Sequence, residues 1–213
     1  MKTIYIVGGD GFARECYVFL QEVMKTKQDI NFGGFLGHGG YGKTVDYKSY
    51  QHLYIGEVSK HEFSDNEYVV IGAGYPTIRQ KIYNELKERN VNFYNLIFYS
   101  LVDSSVNIGE ANVILSSSFT ADISLGNGNV FNGQVILGHD VEIGDFNFFG
   151  PRSQALGNTK VGSFNQIGAN TILLPKTKIG DNNIIAPLSA VYKGCKNNCY
   201  MSGNPAVKIG QVE

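Results

Sequence analysis

The 213-residue chain has too few cysteines for a disulfide framework, because Cys16, Cys195 and Cys199 are odd in number and could close at most one internal bridge. It also lacks any apolar run near the roughly 18 residues that a membrane span needs. The opening MKTIYIVGG moves directly into a strand and a glycine turn, so no targeting segment or membrane insertion is expected and a cytoplasmic location is. Neither sign of charge is in excess. A formal charge of -1 argues against polyanion binding, so nucleic acid is not an expected partner. With 43% hydrophobic and 17% charged residues, the chain is not disordered either. Metal-ligating side chains are sparse: Cys195 and Cys199 have no second pair, so free thiols and no metal site are expected.

What is present is a repeat, and a repeat decides the fold before any single segment does. Every sixth residue from 113 reads Val113, Phe119, Leu125, Phe131, Leu137, Ile143, Phe149, Ala155, Val161, Ile167, Leu173, Ile179, Ile185 and Val191, all apolar. At the overall apolar frequency such a run arises by chance with a probability of about 10⁻⁵, and a period of six fits neither a helix nor a flat strand. A second period lies over the first. Leu125-Gly126, Ile143-Gly144, Val161-Gly162 and Ile179-Gly180 recur every eighteen residues, or three sixes. Eighteen residues therefore make one triangular coil of a parallel β-helix, with one apolar residue per side turned inward. Glycine after the inward residue is expected to ease a tight corner of positive φ. Ile108-Gly109 precedes Leu125-Gly126 by seventeen residues, so an irregular first coil is expected. The general crossover rule favours a right-handed coil.

The first hundred residues have a different texture. Thr3 to Val7 reads as a strand, Gly8-Gly9-Asp10-Gly11 as a glycine turn, and the next segment as a helix with Phe12, Cys16, Phe19, Leu20 and Val23 on one face. That order puts a helix N-terminus and open backbone N–H groups where a phosphate or ribose could lie. Asp10, however, stands where a dinucleotide fold needs glycine for close pyrophosphate approach, which argues against an NAD site. Residues 31–36 and 68–73 read as further strands, and Pro76 opens a helix with Ile78, Ile82 and Leu86 on one face. The expected division is a small Rossmann-like α/β domain over 1–100 and an all-β parallel β-helix over 101–213.

Of the four histidines, His38, His52 and His61 fall in the front domain and only His139 in the repeats, where Asp140 follows it. A group transfer to an amine or hydroxyl needs a base of near-neutral pKa, and imidazole supplies one. His139 lies two residues past the inward Leu137, which puts it near a corner with its ring outward. Asp140 could fix its tautomer. Gly157 comes one full coil later and should stack on His139 at about 4.8 Å, where a glycine N–H could meet an oxyanion.

The tandem aliphatic-Gly hexads resemble the hexapeptide-repeat acyltransferases, trimers whose β-helix is left-handed and which mostly use acetyl-CoA. GGDGFARE at 8–15, VVIGAGYPTIRQKI at 69–82, GHDVEIGD at 138–145 and SGNPAVKI at 202–209 are similar to motifs of a narrower subfamily. Its members N-acetylate nucleotide-linked amino sugars or O-acetylate sialic acids for surface glycans. The resemblance implies His139 as general base with Asp140 beside it. It implies acetyl-CoA contacts at Gly157, Ile167, Gly168, Asn204 and Pro205, between subunits of a homotrimer. It implies binding of a nucleotide-linked amino sugar at Gly8, Gly9, Asp10, Gly11, Arg14 and Ala73. Two positions depart from the pattern: Gly37 stands where the family commonly has Asp near the nucleoside, and Phe148 where many relatives carry a second histidine. O-acetylation of sialic acid and a non-catalytic sugar-binding β-helix are the alternatives. A β-helical carbonic anhydrase would need three zinc-binding histidines, and the repeats contain one.

Overall fold

The computed structural model describes residues 1–39 and 47–212. These form two compact units, Met1–Phe98 and Tyr99–Glu213.

The first unit is a parallel sheet of β1 (Lys2–Val7), β2 (Ile30–Gly37), β3 (Tyr54–Glu57), β4 (Glu67–Ile71) and β5 (Asn92–Phe93) in the order β3-β2-β1-β4-β5. From β1 the chain moves outward through β2 and β3, then crosses to the opposite side of β1 for β4. The order therefore reverses between β1 and β4, and it is outside the carboxyl ends at such a reversal that open α/β sheets bind ligands. Ile4, Ile6, Val7, Phe35, Leu36, Val69, Val70 and Ile71 fill the core. Helix α1 (Gly11–Thr26) buries Ala13, Cys16, Tyr17, Leu20 and Val23 against the sheet. Phe12 and Phe19, expected on that face, are only half-buried, because the small Ala13 is what allows the helix to approach Gly72. Helix α2 (Pro76–Glu88) buries Pro76, Arg79, Ile82 and Leu86. Arg79 thus holds a buried position while the expected Ile78 is half-exposed. The strand expected at 68–73 stops at Ile71, which leaves Gly72 and Ala73 in the turn.

The second unit is the triangular β-helix that the repeat requires. Two-residue strands stack in parallel on three faces, for example Ile136–Leu137 on Gln154–Ala155 and Glu142–Ile143 on Lys160–Val161. Leu101–Val102 pairs with Ser118–Phe119, and Asn107–Ile108 with Ser124–Leu125, which is the seventeen-residue first coil. All fourteen residues of the apolar series are at most 4% exposed.

Two details differ from the sequence reading. Each side turns two residues inward, not one: the position two before each apolar residue is also buried, apolar at Ala111, Ile123, Val135 and Val141 and polar at Ser117, Asn129, Asn147, Ser153, Thr159, Asn165, Thr171, Thr177, Asn183 and Ser189. On one edge these form an asparagine ladder. Asn129 Oδ1 accepts from the Asn147 amide at 2.8 Å, Asn147 Oδ1 from that of Asn165 at 2.9 Å, and Asn165 Oδ1 from that of Asn183 at 2.9 Å. Most buried polar side chains are satisfied by hydrogen bonds, as these are.

The second difference concerns the glycines. Positive φ falls three residues after the inward residue, at Asp122, Gly128, Gln134, Asp140, Phe146, Arg152, Asn158 and onward every sixth residue. The glycine directly after the inward residue is needed for clearance instead. A Cβ on Gly126 would lie 2.3 Å from Asp145 Oδ1 and 2.8 Å from the Gly144 carbonyl of the next coil. Cys199–Gly203 stacks last on Ile184–Ile185 and turns back through Asn204 and Pro205 into the antiparallel strand Ala206–Gln211. No helix among the described residues is long and apolar enough to cross a membrane.

Candidate active site

His139 stands on the corner between the face of Leu137 and the face of Ile143. The hexad produces it directly: Leu137 is anchored inward, Gly138 clears the next coil, and His139 follows with its side chain 63% exposed. Asp140 takes the left-handed corner conformation (φ 58°), which Asp tolerates better than most residues. That backbone brings its carboxylate beside the preceding ring, with His139 Nδ1 2.7 Å from Asp140 Oδ2. An Nδ1–H that donates to the carboxylate leaves the lone pair on Nε2, so the pair presents a base of fixed tautomer.

Gly157 lies one coil on, held by the Asn158 amide donating to the His139 carbonyl at 2.9 Å. A Cβ at Gly157 would sit 2.6 Å from His139 Nε2 and 2.8 Å from Cε1, so the ring occupies the space that a side chain would need. The Gly157 amide is set differently from those of the neighbouring corner. On the neighbouring corner, the equivalent amides of Asn127, Asp145, Ser163 and Asp181 each donate to a side-chain oxygen one coil on, from Asp145, Ser163, Asp181 and Asn197. On the His139 corner the residue one coil beyond Gly157 is Pro175, which has no such oxygen. Among the described residues the Gly157 N–H makes no hydrogen bond. Gly138 keeps it open, since a Cβ there would lie 2.8 Å from the Gly157 nitrogen. A base and an open amide donor thus share one corner. Gly138 was not picked out from sequence, although its position beside His139 in a glycine-paced repeat is the signal that could have found it.

The expected donor-contact residues lie elsewhere on the β-helix. Ile167 is 1% exposed with its side chain in the interior, so only its backbone could meet a ligand, and its carbonyl is already bonded to the Gly150 amide. Gly168 follows it on the face away from His139, where a Cβ would meet the Pro187 nitrogen at 2.4 Å. Asn204 and Pro205 are exposed in the terminal turn, two stacked strands further along that same face. Phe148 belongs to this face too, paired with Gln166. One chain therefore brings His139, Asp140 and Gly157 together and holds Ile167, Gly168, Asn204 and Pro205 apart from them.

In the front unit, Gly8 (φ 157°) could not carry a side chain, because a Cβ would lie 2.7 Å from the Gly72 carbonyl. Its amide donates to Leu36 O, and its carbonyl accepts from the Tyr47 hydroxyl. Asp10 has a structural task that the sequence reading did not assign. It is the N-cap of α1, accepting from the Phe12 amide at 3.0 Å, so its carboxylate already meets part of the helix N-terminus expected to be open to phosphate. Gly9, Gly11 and Arg14 are half-exposed around it, with Arg14 Nη2 3.6 Å from where a Gly11 Cβ would stand. In the turn after β4 Ala73 is buried, and its carbonyl accepts from Arg79 Nη1 at 2.9 Å. Arg79 also donates to Ile71 O at 2.6 Å, and its complete burial lowers its pKa to about 10. This arginine clamps the turn after β4. Gly37 ends β2, buried and in register with Glu57. Among the described residues no group of three or more His, Cys, Asp and Glu could hold a metal ion.

Comparison with known proteins agrees with this architecture. Residues 158–193 match the family model described as bacterial transferase hexapeptide (six repeats). No curated protein sequence matches the chain significantly. The acetyltransferase domain of PglB from Neisseria gonorrhoeae superposes with a TM-score of 0.85 at 17% identity, over 98% of this chain and 100% of that one. PerB from Caulobacter crescentus, solved in complex with CoA and GDP-perosamine, gives 0.82 at 20% identity over 99% and 98%. WeeI from Acinetobacter baumannii gives 0.83 at 20% over 98% and 100%. Agreement over whole chains at this level requires the same topology and the same winding sense of the coil.

Proposed function

We propose that this chain is a cytoplasmic acetyltransferase that moves the acetyl group of acetyl-CoA onto the amine of a nucleotide-linked amino sugar, with His139 as the general base. The observation that carries the proposal is the corner where a tautomer-fixed imidazole lies against Gly157 and an amide N–H has been left without an acceptor. Acyl transfer to an amine needs both functions at once: a base for the acceptor's proton and a donor for the oxyanion of the tetrahedral intermediate. Nε2 of His139 takes the proton as the nitrogen attacks the thioester carbonyl. Asp140 stabilises the imidazolium, the Gly157 N–H faces the oxyanion, and collapse of the intermediate releases the CoA thiolate, which the imidazolium can protonate.

The nucleotide half of the acceptor fits the front unit, where the sheet order reverses between β1 and β4 and ligands bind in such sheets. Gly9, Gly11 and Arg14 offer its polar contacts, while Gly8 and Ala73 shape the wall. PerB, a structural neighbour, was solved with CoA and GDP-perosamine, a nucleotide-linked amino sugar, and this supports the same class of acceptor here.

The separation of His139 from Gly168, Asn204 and Pro205 within one chain supports a homotrimer, in which one protomer supplies the base and its neighbour the rest of the acetyl-CoA site.

The test is CoA thiol release with a panel of nucleotide 4-amino sugars and free sialic acids. Turnover with at least one nucleotide amino sugar, lost in His139→Ala, supports the proposal. Turnover only with sialic acids moves the chain to O-acetylation, and none with any acceptor favours a sugar-binding β-helix.

A further inference from the structure

We infer that the carboxylate of Glu57 receives the ribose hydroxyls of the acceptor's nucleotide, from the end of β3 and not of β2. The inference rests on the nucleotide-sugar reading above. In sheets that begin with strand, glycine turn and helix, an acidic residue after the second strand commonly bonds the ribose. Here β2 ends in Gly37, His38 and Gly39, and the buried His38 is engaged through Nε2 with Glu85 at 2.8 Å. None of these three residues carries a carboxylate of its own.

One stands on the adjoining strand. Glu57 is the register partner of Gly37 in the parallel β2–β3 pair. A bulge precedes it, where the register shifts between Phe35 and Leu36 and Gly56 adopts φ 138°. In a regular strand, residues three apart point to opposite faces. The bulge cancels that alternation and brings Tyr54 and Glu57 together, with the Tyr54 hydroxyl donating to Oε1 at 2.7 Å. The Tyr54 ring stacks on Tyr47 at 5.8 Å, and the fully buried Tyr47 donates its hydroxyl to Gly8 O in the turn after β1. A continuous aromatic wall therefore joins the glycine turn to Glu57.

The other oxygen, Oε2, accepts no hydrogen bond among the described residues. It faces the chain just after β2, 3.8 Å from where a Cβ on Gly39 would stand. Gly37 and Gly39 put no side chain at this edge. Two strand spacings of about 4.8 Å separate β3 from β1, and the glutamate side chain spans part of that gap toward β2. A half-exposed carboxylate, braced on one oxygen and open on the other, is suited to a vicinal diol.

Titration calorimetry of the full chain with UDP and GDP, their 2′-deoxy and 2′,3′-dideoxy analogues, and dTDP tests this. The wild type is expected to bind a ribonucleotide about tenfold or more tightly than its dideoxy analogue, the size of one lost charge-assisted hydrogen bond. Glu57→Ala should bring the two within about twofold, Glu57→Gln should fall between, and acetyl-CoA affinity should be unchanged in both. No ribose preference in the wild type, a preference that persists in Glu57→Ala, or dTDP as the tightest ligand would overturn the assignment while leaving nucleotide binding intact. If no nucleoside diphosphate binds a wild-type chain that binds acetyl-CoA, the nucleotide-sugar reading fails and this inference with it. The wild-type ratio decides even where a variant does not fold.

Discussion

The imidazole of His139 lies against the α-carbon of Gly157, one coil away, in the space a side chain at 157 would occupy. The backbone at Gly157 is not in the left-handed region, so alanine there introduces a clash and no backbone strain. Gly157→Ala should displace the ring and lower kcat by about 10² while the melting temperature changes little. His139→Ala should lower kcat by about 10² to 10⁴ with acetyl-CoA binding retained. Steady-state kinetics with a thermal melt of each variant checks both, and a loss under about tenfold for His139→Ala would remove the residue from the mechanism.

Gly138 offers a second test of the amide donor, because a Cβ there would lie 2.8 Å from the Gly157 nitrogen. Gly138→Ala should reduce kcat while leaving the pH profile of kcat/KM in place. A shift of that profile would mean that the substitution acts through the base.

The asparagine ladder predicts a stability effect without a catalytic one. Asn165 accepts from both the amide and the side chain of Asn183. Asn165→Leu leaves these buried donors without a partner, at a cost of about 2 to 4 kcal/mol. Chemical denaturation should show a lower midpoint, with kcat unchanged under native conditions. In the front unit Arg79→Met strips the bonds from Ile71 O and Ala73 O and should cost about 3 kcal/mol, while raising KM for the acceptor as the turn after β4 loosens.

The two units also predict a division of labour. A chain beginning at Tyr99 retains the repeats, His139 and Gly157. It should trimerise and bind acetyl-CoA yet lose most of kcat/KM for a nucleotide sugar, since nucleotide binding energy remote from the amine positions it for attack. Light scattering, calorimetry and kinetics on the shortened chain check the three parts. Undiminished activity toward the nucleotide sugar would show that the front unit is not the acceptor module.

Much of this was legible in the sequence because a repeat is a strong constraint. Fourteen apolar residues at period six fix which side chains turn inward, and the seventeen-residue first coil follows from Ile108 and Leu125 alone. His139 could be found because it breaks a pattern otherwise made of small and polar corners. Other features were hidden for physical reasons. The asparagine ladder is polar, so a search for apolar periodicity passes over it. The left-handed corner tolerates Asp, Gln, Phe, Arg and Asn in turn, so no residue type announces it, and the conspicuous glycines mark close coil contact instead. Asp10 reads as a flaw in a phosphate turn and proves to be a helix cap. Arg79 occupies a buried position because its guanidinium meets two carbonyls, a long-range match that helix periodicity does not reveal.

The most direct measurement of the central claim is the chemical nature of the product. The chain, acetyl-CoA and a nucleotide 4-amino sugar should be incubated together, and the sugar examined by mass spectrometry and NMR before and after mild base. The account predicts one acetyl group in a base-stable amide on the amine, formed at a rate that falls by about 10² or more in His139→Ala. A base-labile ester, an unmodified sugar, or an amide formed equally fast without His139 would contradict it.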